Sequence, residues 1–287
     1  MYESFYKLSE RPFLVVPDPT YIYWSEDHVL AFTMLRYGLI SRAPVIVVTG
    51  EIGAGKTTLV RKLLNETPSD LTVGLVSNMQ AGRGALLHWI MMALGEPIGD
   101  DPYVGLFHRF QEFAVNAYAR NQRVLLIIDE AQNLDVETLE ELRMLSNINA
   151  DKDEILQIML VGQPQLRDLL VRPELQQFAQ RVSVDFHLSA LNCQEVAAYI
   201  QHRMTIAGAS WRIFPNETCE LIFEVTRGVP RLINILCDLA LVYGYSAGDR
   251  VVSPDLLREF LESSQKRQLF QQFDFPNAGM PRVRRIQ

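Results

Sequence analysis

Pro44–Val45–Ile46–Val47–Val48–Thr49–Gly50–Glu51–Ile52–Gly53–Ala54–Gly55–Lys56–Thr57–Thr58 decides how the rest of the chain is read. An apolar, β-branched run reaches Gly50, a loop with two further glycines follows, and Lys56–Thr57–Thr58 leads into the helix-like Leu59–Val60–Arg61–Lys62–Leu63–Leu64. Gly50, Gly55, Lys56 and Thr57 stand at the fixed places of the phosphate-binding pattern G-x-x-x-x-G-K-[ST]. Glycines admit φ > 0 and close approach, so successive N–H groups from Gly50 to Thr58 can converge on one anion. The following helix turns its positive end to the same place. Lys56 is placed to reach the β- and γ-phosphates of a nucleotide. The Thr57 hydroxyl is a ligand for Mg²⁺, an ion that takes few protein ligands. The alternative is a chance glycine-rich turn between a strand and a helix.

Working outward, strands alternate with helices. Residues 26–42 read as a helix with an apolar stripe of Val29, Phe32, Leu35 and Leu39. Residues 71–77 read as a strand, 81–94 and 104–120 as helices, and Val124–Leu125–Leu126–Ile127–Ile128 as a buried strand that ends at Asp129 and Glu130. A turn spans Pro68, Ser69 and Asp70. A helix over 135–148, a strand over 155–161, a helix over 165–180 interrupted at Pro173 and a strand over 181–187 follow. From Ser189 only helical patterns occur. This order predicts a parallel sheet with right-handed crossovers and then a small all-helical domain. The expected divisions are an extended arm over 1–25, an α/β domain over 26–188, a helical domain over 189–262 and a basic tail over 263–287. Closely spaced prolines keep a long helix out of the arm. Its aromatics either pack on the core or wall a nucleotide base.

The carboxyl end of a buried strand is where open α/β sheets place ligands. Asp129 is a metal ligand there and Glu130 a general base toward water. The alternative is a cap-and-turn pair before the next helix. Gln163, just after the next strand, orients that water or senses the γ-phosphate; otherwise it is turn chemistry before Pro164. Charge spreads over the transferred phosphoryl group, which calls for a cation. Arg231, after Gly228–Val229–Pro230, is placed to swing over a nucleotide as a lid closes. Arg181 is placed to project toward a neighbouring subunit, with Arg172 as runner-up. A surface ion pair is the ordinary alternative for any of the three.

The chain of 287 residues is 48% hydrophobic, which allows a sizeable core, and its net charge of −7 gives no global attraction to nucleic acid. Charge is uneven. Lys266, Arg267, Arg282, Arg284 and Arg285 stand against Asp274 alone in residues 263–287, leaving the body at about −11. Cys193, Cys219 and Cys237 share no metal-ligand spacing and suggest reduced structural thiols. The N-terminus does not read as a signal peptide, and no run is apolar enough for a membrane span. A cytoplasmic protein, peripheral to the inner membrane at most, is the expectation.

Taken together, these motifs resemble the AAA+ ATPases and, within them, the ExeA-type secretion-pathway ATPases. The resemblance rests on Arg11–Pro12–Phe13, Pro17–Asp18–Pro19, the 50–58 loop, Asp129–Glu130–Ala131–Gln132–Asn133–Leu134 and Leu145–Ser146–Asn147. It rests also on Leu160–Val161–Gly162–Gln163–Pro164, Gln180–Arg181–Val182 and Gly228–Val229–Pro230–Arg231–Leu232–Ile233–Asn234, and covers roughly residues 1–262. The Asp-Glu-Ala-Gln box is shared with transposition ATPases of the TniB and TnsC kind. The resemblance implies a P-loop NTPase sheet sandwiched by helices, a helical lid, ATP and Mg²⁺ as ligands, and assembly into a ring or filament. It implies Lys56 and Thr57 as Walker A, Asp129 and Glu130 as Walker B, Gln163 as sensor one, Arg231 as sensor two and Arg181 as a finger donated in trans. Gln165 departs from an expected acidic residue. ExeA-type proteins commonly continue into a membrane span and a periplasmic peptidoglycan-binding part, and the lack of both here weighs against a cell-wall role. Expected partners are secretion or envelope proteins. The alternatives are duplex DNA, as for the transposition ATPases, and a nucleotide-gated scaffold with little turnover. The basic tail meets DNA, an anionic membrane surface, or solvent alone.

Overall fold

The structure, a computed structural model, describes residues 1–266 apart from 17, 68–69, 78–85, 98–100 and 151–152. The basic tail beyond Lys266, the start of the helix expected from residue 81 and the turn expected at Pro68 and Ser69 lie outside the described residues. A one-turn helix, α1 (Glu3–Tyr6), lies near the N-terminus. The chain divides into two units. The larger holds Glu26–Ile52 and Lys56–Ser189; the smaller holds Met1–Ser25, Gly53–Gly55 and the residues from Ala190 onward.

In the larger unit the continuous apolar runs become the middle of one parallel sheet. Its strands are β1 (Val45–Gly50), β2 (Leu71–Val76), β3 (Arg123–Asp129), β6 (Leu156–Gly162) and β7 (Val182–Leu188), in the order β2-β3-β6-β1-β7. A two-stranded ribbon, β4 (Asn149–Ala150) with β5 (Asp153–Glu154), precedes β6. β1 and β6 are buried at every position, whereas the edge strands β2 and β7 mix buried and accessible positions. That contrast is what covering on both faces requires of a central strand. Parallel pairing brings Gly50, Asp129 and Gly162 to the same end of the sheet: Thr49 pairs with Gly162, and Asp129 with Val161.

Helices α2 (Glu26–Ile40), α3 (Lys56–Asn65), α4 (Leu86–Ala93), α5 (Tyr103–Ala119), α6 (Val136–Leu145), α7 (Gln165–Leu170) and α8 (Gln176–Ala179) flank this sheet. The sandwiched parallel sheet expected from the sequence is therefore present. Asp135 caps α6 by accepting the Thr138 N–H at 2.8 Å. Pro173 begins a short 3₁₀ turn between α7 and α8. Two local expectations are corrected. The helix expected to run to residue 148 ends at Leu145, and the β4–β5 ribbon follows. The buried face of α2 is His28, Ala31, Leu35, Gly38 and Leu39, while Val29 is 49% exposed. The helix packs on its small residues: a Cβ on Gly38 would stand 2.8 Å from Ile46 Cδ1.

In the smaller unit four helices, α9 (Cys193–Ile206), α10 (Asn216–Thr226), α11 (Pro230–Ala247) and α12 (Pro254–Lys266), share a core with the N-terminal segment. Tyr2, Tyr6, Leu8 and Phe13 are buried among Val196, Ile200, Leu236 and Leu257. Asn192 and Glu195 form a reciprocal capping box at the start of α9. Tyr2 and Arg11 both donate to the Asp238 carboxylate, Arg11 at 2.6 Å. Arg203 is 6% exposed; its Nε donates to the Pro12 carbonyl at 2.6 Å, its Nη1 to the Tyr199 hydroxyl at 2.9 Å, and it lies 4.7 Å from the centre of the Tyr21 ring. The aromatics of the N-terminal segment thus pack into a core. Cys219 and Cys237 are buried and unpaired there, and burial pushes the Cys219 thiol up to about 11.

Phe13 is 1% exposed, edge-on to Phe214 at 5.8 Å. Phe13→Ala is expected to destabilise this unit by about 3–5 kcal/mol. Urea unfolding followed by tryptophan fluorescence reads the effect as a lower midpoint, and an unchanged midpoint would mean that the segment contributes nothing to the core.

Candidate nucleotide site

The loop after β1 owes its shape to its glycines. Gly53 and Gly55 have φ of 83° and 104°, which side chains rarely adopt. Gly50 is required for another reason: it pairs with Leu188, and a Cβ there would stand 2.6 Å from the Leu188 carbonyl oxygen. Lys56, the first residue of α3, is buried, and its Nζ donates to the Gly50 carbonyl at 2.7 Å and the Glu51 carbonyl at 3.0 Å. Burial lowers its pKa, and the negative charges of Glu130, Asp129 and Glu51 pull it back up. Ile52 is 57% exposed in the loop, Ala54 is fully buried, and Thr57 and Thr58 continue the first turn of α3.

Asp129 closes β3. Burial raises its pKa most, and the Glu130 charge adds to this. The Glu130 N–H at 2.9 Å, the Lys56 charge and a hydrogen bond from the Thr57 hydroxyl oppose it. Consecutive residues of a regular strand face opposite sides. Here the chain leaves the strand at Glu130, which takes the left-handed conformation with φ 56° and ψ 39°. Such a backbone is costly for a non-glycine residue and concentrates at functional sites. Glu130 Oε2 accepts from Gln132 Nε2 at 2.6 Å and from Gln163 Nε2 at 3.3 Å.

The raised Asp129 pKa has a measurable consequence. Between the ordinary value of 3.8 and its raised one, the folded chain keeps a proton that the unfolded chain has released. Stability therefore falls as pH rises through that window. Asp129→Asn is expected to remove this slope and to raise Tm above the window in the absence of Mg²⁺. Thermal melting between about pH 4 and pH 8 measures it; a variant less stable than its parent at neutral pH would contradict the burial cost.

Of the remaining sequence candidates, Gln163 joins the carboxylate cluster. Arg181 is anchored within its own unit. Its Nη1 donates to the Ser146 carbonyl and hydroxyl, both at 3.1 Å, and its Nη2 to Asn147 Oδ1. Arg172 is exposed beside the groove lined by Asp135, Glu137 and Asp168. Arg231 stands in the first turn of α11, in the smaller unit, where its N–H donates to the Gly53 carbonyl of the same unit at 3.2 Å. Sequence reasoning gave Gln132 no role. Its signal was its place at the end of the Asp-Glu-Ala-Gln box, and the contact depends on the left-handed turn at Glu130.

The residues fit a Mg-nucleotide. The Thr57 hydroxyl and the Asp129 carboxylate are hard oxygen donors, and the hydroxyl is among the groups that hold the Asp129 pKa down; this is the donor type that Mg²⁺ takes alongside water and phosphate. Lys56 and the backbone N–H groups at the start of α3 supply the cationic complement to a phosphate.

Residues 39–170 match the AAA domain family. General secretion pathway protein A of Aeromonas hydrophila is 36% identical over 258 residues, covering 89% of this chain and 47% of that protein, so the chain spans about half the length of this curated relative. Among solved structures, the Aeropyrum pernix ORC2 protein, in ADPNP-ADP complexes, aligns with a TM-score of 0.58 at 21% identity over 83% of this chain and 67% of its own. Cdc6p of Pyrobaculum aerophilum aligns with a TM-score of 0.61 at 16% identity over 92% of this chain and 70% of its own. At these identities the two structures speak to the fold. Among the described residues no helix is long and apolar enough to cross a membrane.

Proposed function

We propose that this chain, whose residues 39–170 match the AAA domain family and which is 36% identical to general secretion pathway protein A over 258 residues, binds ATP with Mg²⁺ and hydrolyses it to ADP and phosphate. Binding and hydrolysis together drive self-association into a ring or filament and work on a secretion- or envelope-associated protein complex. One observation carries the catalytic part: the charges of Glu130 and Asp129, side by side at the end of β3, act on Lys56 of the phosphate loop.

Each residue has a task. Lys56 leaves its two carbonyl partners and neutralises phosphate oxygens. Thr57 and Asp129 hold the metal, which when bound neutralises charge on the phosphates. Glu130 accepts a proton from the attacking water. Gln163 donates to Glu130 and marks where that water sits. Arg231 senses the nucleotide from the first turn of α11. Arg181, held by Ser146 and Asn147, presents its guanidinium to the γ-phosphate of a neighbouring subunit. A second reading, duplex DNA as the partner, is favoured by Lys266, Arg267, Arg282, Arg284 and Arg285 near the C-terminal end of this sequence.

Phosphate release from ATP tests the proposal. The purified chain is expected to release phosphate with Mg²⁺ and to stop on addition of EDTA; no release under any assembly condition would contradict hydrolysis. Duplex DNA that binds only with ATP, and weakens steeply with salt, would favour the second reading.

A further inference from the structure

We propose that Gln132 is a positioning residue for the water-activating carboxylate: it holds Glu130 and the backbone of Gln163 in one register. This rests on the reading of Glu130 as general base. The left-handed turn at Glu130 starts a 3₁₀ turn over Ala131–Asn133, closed by the Asn133 N–H on the Glu130 carbonyl at 3.0 Å. That turn carries the Gln132 side chain back over the residue two before it. Its carboxamide is used at both ends. Nε2 donates to Glu130 Oε2 at 2.6 Å, and Oε1 accepts the Gln163 backbone N–H at 2.9 Å. β3 and β6 are adjacent strands, so Gln132 spans the gap between the residues that follow them.

The end of β6 leaves room for this bridge. Its last residue is Gly162, where a Cβ would stand 2.9 Å from Gln132 Oε1 and 2.9 Å from Leu166 Cδ2. A side chain at 162 would crowd the carboxamide and the α7 leucine alike. Glu130 Oε2 then receives two N–H donors, one from Gln132 and one from the Gln163 side chain. Both side chains are steered by one bridge, because Gln132 also fixes the backbone from which Gln163 projects. In this role Gln132 acts through the carboxylate.

Two substitutions separate this role from a structural one. Gln132→Ala removes donor and acceptor together. Gln132→Glu keeps an acceptor for the Gln163 N–H but sets a second carboxylate against Glu130, so that the pair repels or shares a proton, and either outcome spoils the base. The parent, both variants and Glu130→Gln are compared for Mg-ATP turnover and for the Kd of a fluorescent ATP analogue. Gln132→Ala is expected to lower kcat by about 10- to 100-fold, as misplacing a reacting group by about an ångström does. Gln132→Glu is expected to be lower still, with Kd within about twofold of the parent in both, showing that the fold and the phosphate loop are intact. If Gln132→Glu equals or exceeds Gln132→Ala, the bridge serves only the Gln163 backbone and the proposal is overturned, while a dead Glu130→Gln leaves the general-base reading in place. If Glu130→Gln turns over like the parent, the general-base reading itself falls and this inference falls with it.

Discussion

Glu130→Gln is expected to lower ATP turnover by about 10²- to 10⁴-fold, the share that a positioned general base contributes, while leaving ATP bound. The substitution is nearly isosteric. The carboxamide oxygen can still accept from Gln132 and Gln163, so the cluster around position 130 keeps its shape. What is lost is the capacity to take a proton. The phosphate contacts depend on Lys56, Thr57 and the loop backbone, which the change does not touch. Binding and hydrolysis should therefore separate, with Kd for ATP retained and kcat reduced. Multiple turnover at the parent rate would remove Glu130 from the chemistry and leave it as a residue that shapes the turn after β3.

The second large effect is expected at Arg181. As a finger acting across a subunit boundary, its removal should cost about 10³-fold or more in turnover. Arg181→Ala keeps its own Glu130, and Glu130→Gln keeps its own Arg181. Mixing the two inactive proteins should therefore restore activity at interfaces where one supplies the arginine and the other the base. Within its own unit Arg181 already has three acceptors, on Ser146 and Asn147. Those contacts support a competing outcome. If mixing restores nothing and Arg181→Ala melts at a lower temperature, the guanidinium is a brace for the segment after α6.

Much of this was legible in the sequence, and the reasons are physical. Strands covered on both faces must be apolar throughout, so Val45–Gly50 and the run before Asp129 announce themselves. The phosphate loop is a local pattern of conformationally permissive residues, and it needs no tertiary information. The buried face of α2 was legible at Leu35 and Leu39 but not at Ala31 and Gly38, which are chosen for smallness where a hydropathy stripe selects Val29 instead. The β4–β5 ribbon is two pairs long and leaves no periodicity to detect. The N-terminal aromatics were visible, but their partners were not: Tyr2 and Arg11 meet at Asp238, and Arg203 reaches Pro12 and Tyr21. Contacts across so much sequence are set by topology. Gln132 was hidden for a different reason, since its reach to Glu130 exists only because one glutamate takes a left-handed backbone.

The central claim is that Lys56, Thr57 and the loop backbone hold a nucleoside triphosphate against Asp129 and Glu130. Its most direct measurement is the nucleotide that stays with Glu130→Gln protein after incubation with Mg-ATP and gel filtration. The account predicts close to one nucleotide per chain, recovered as ATP and lost when Lys56→Ala is added to the same protein. Recovery of ADP, or retention that does not depend on Lys56, would contradict it.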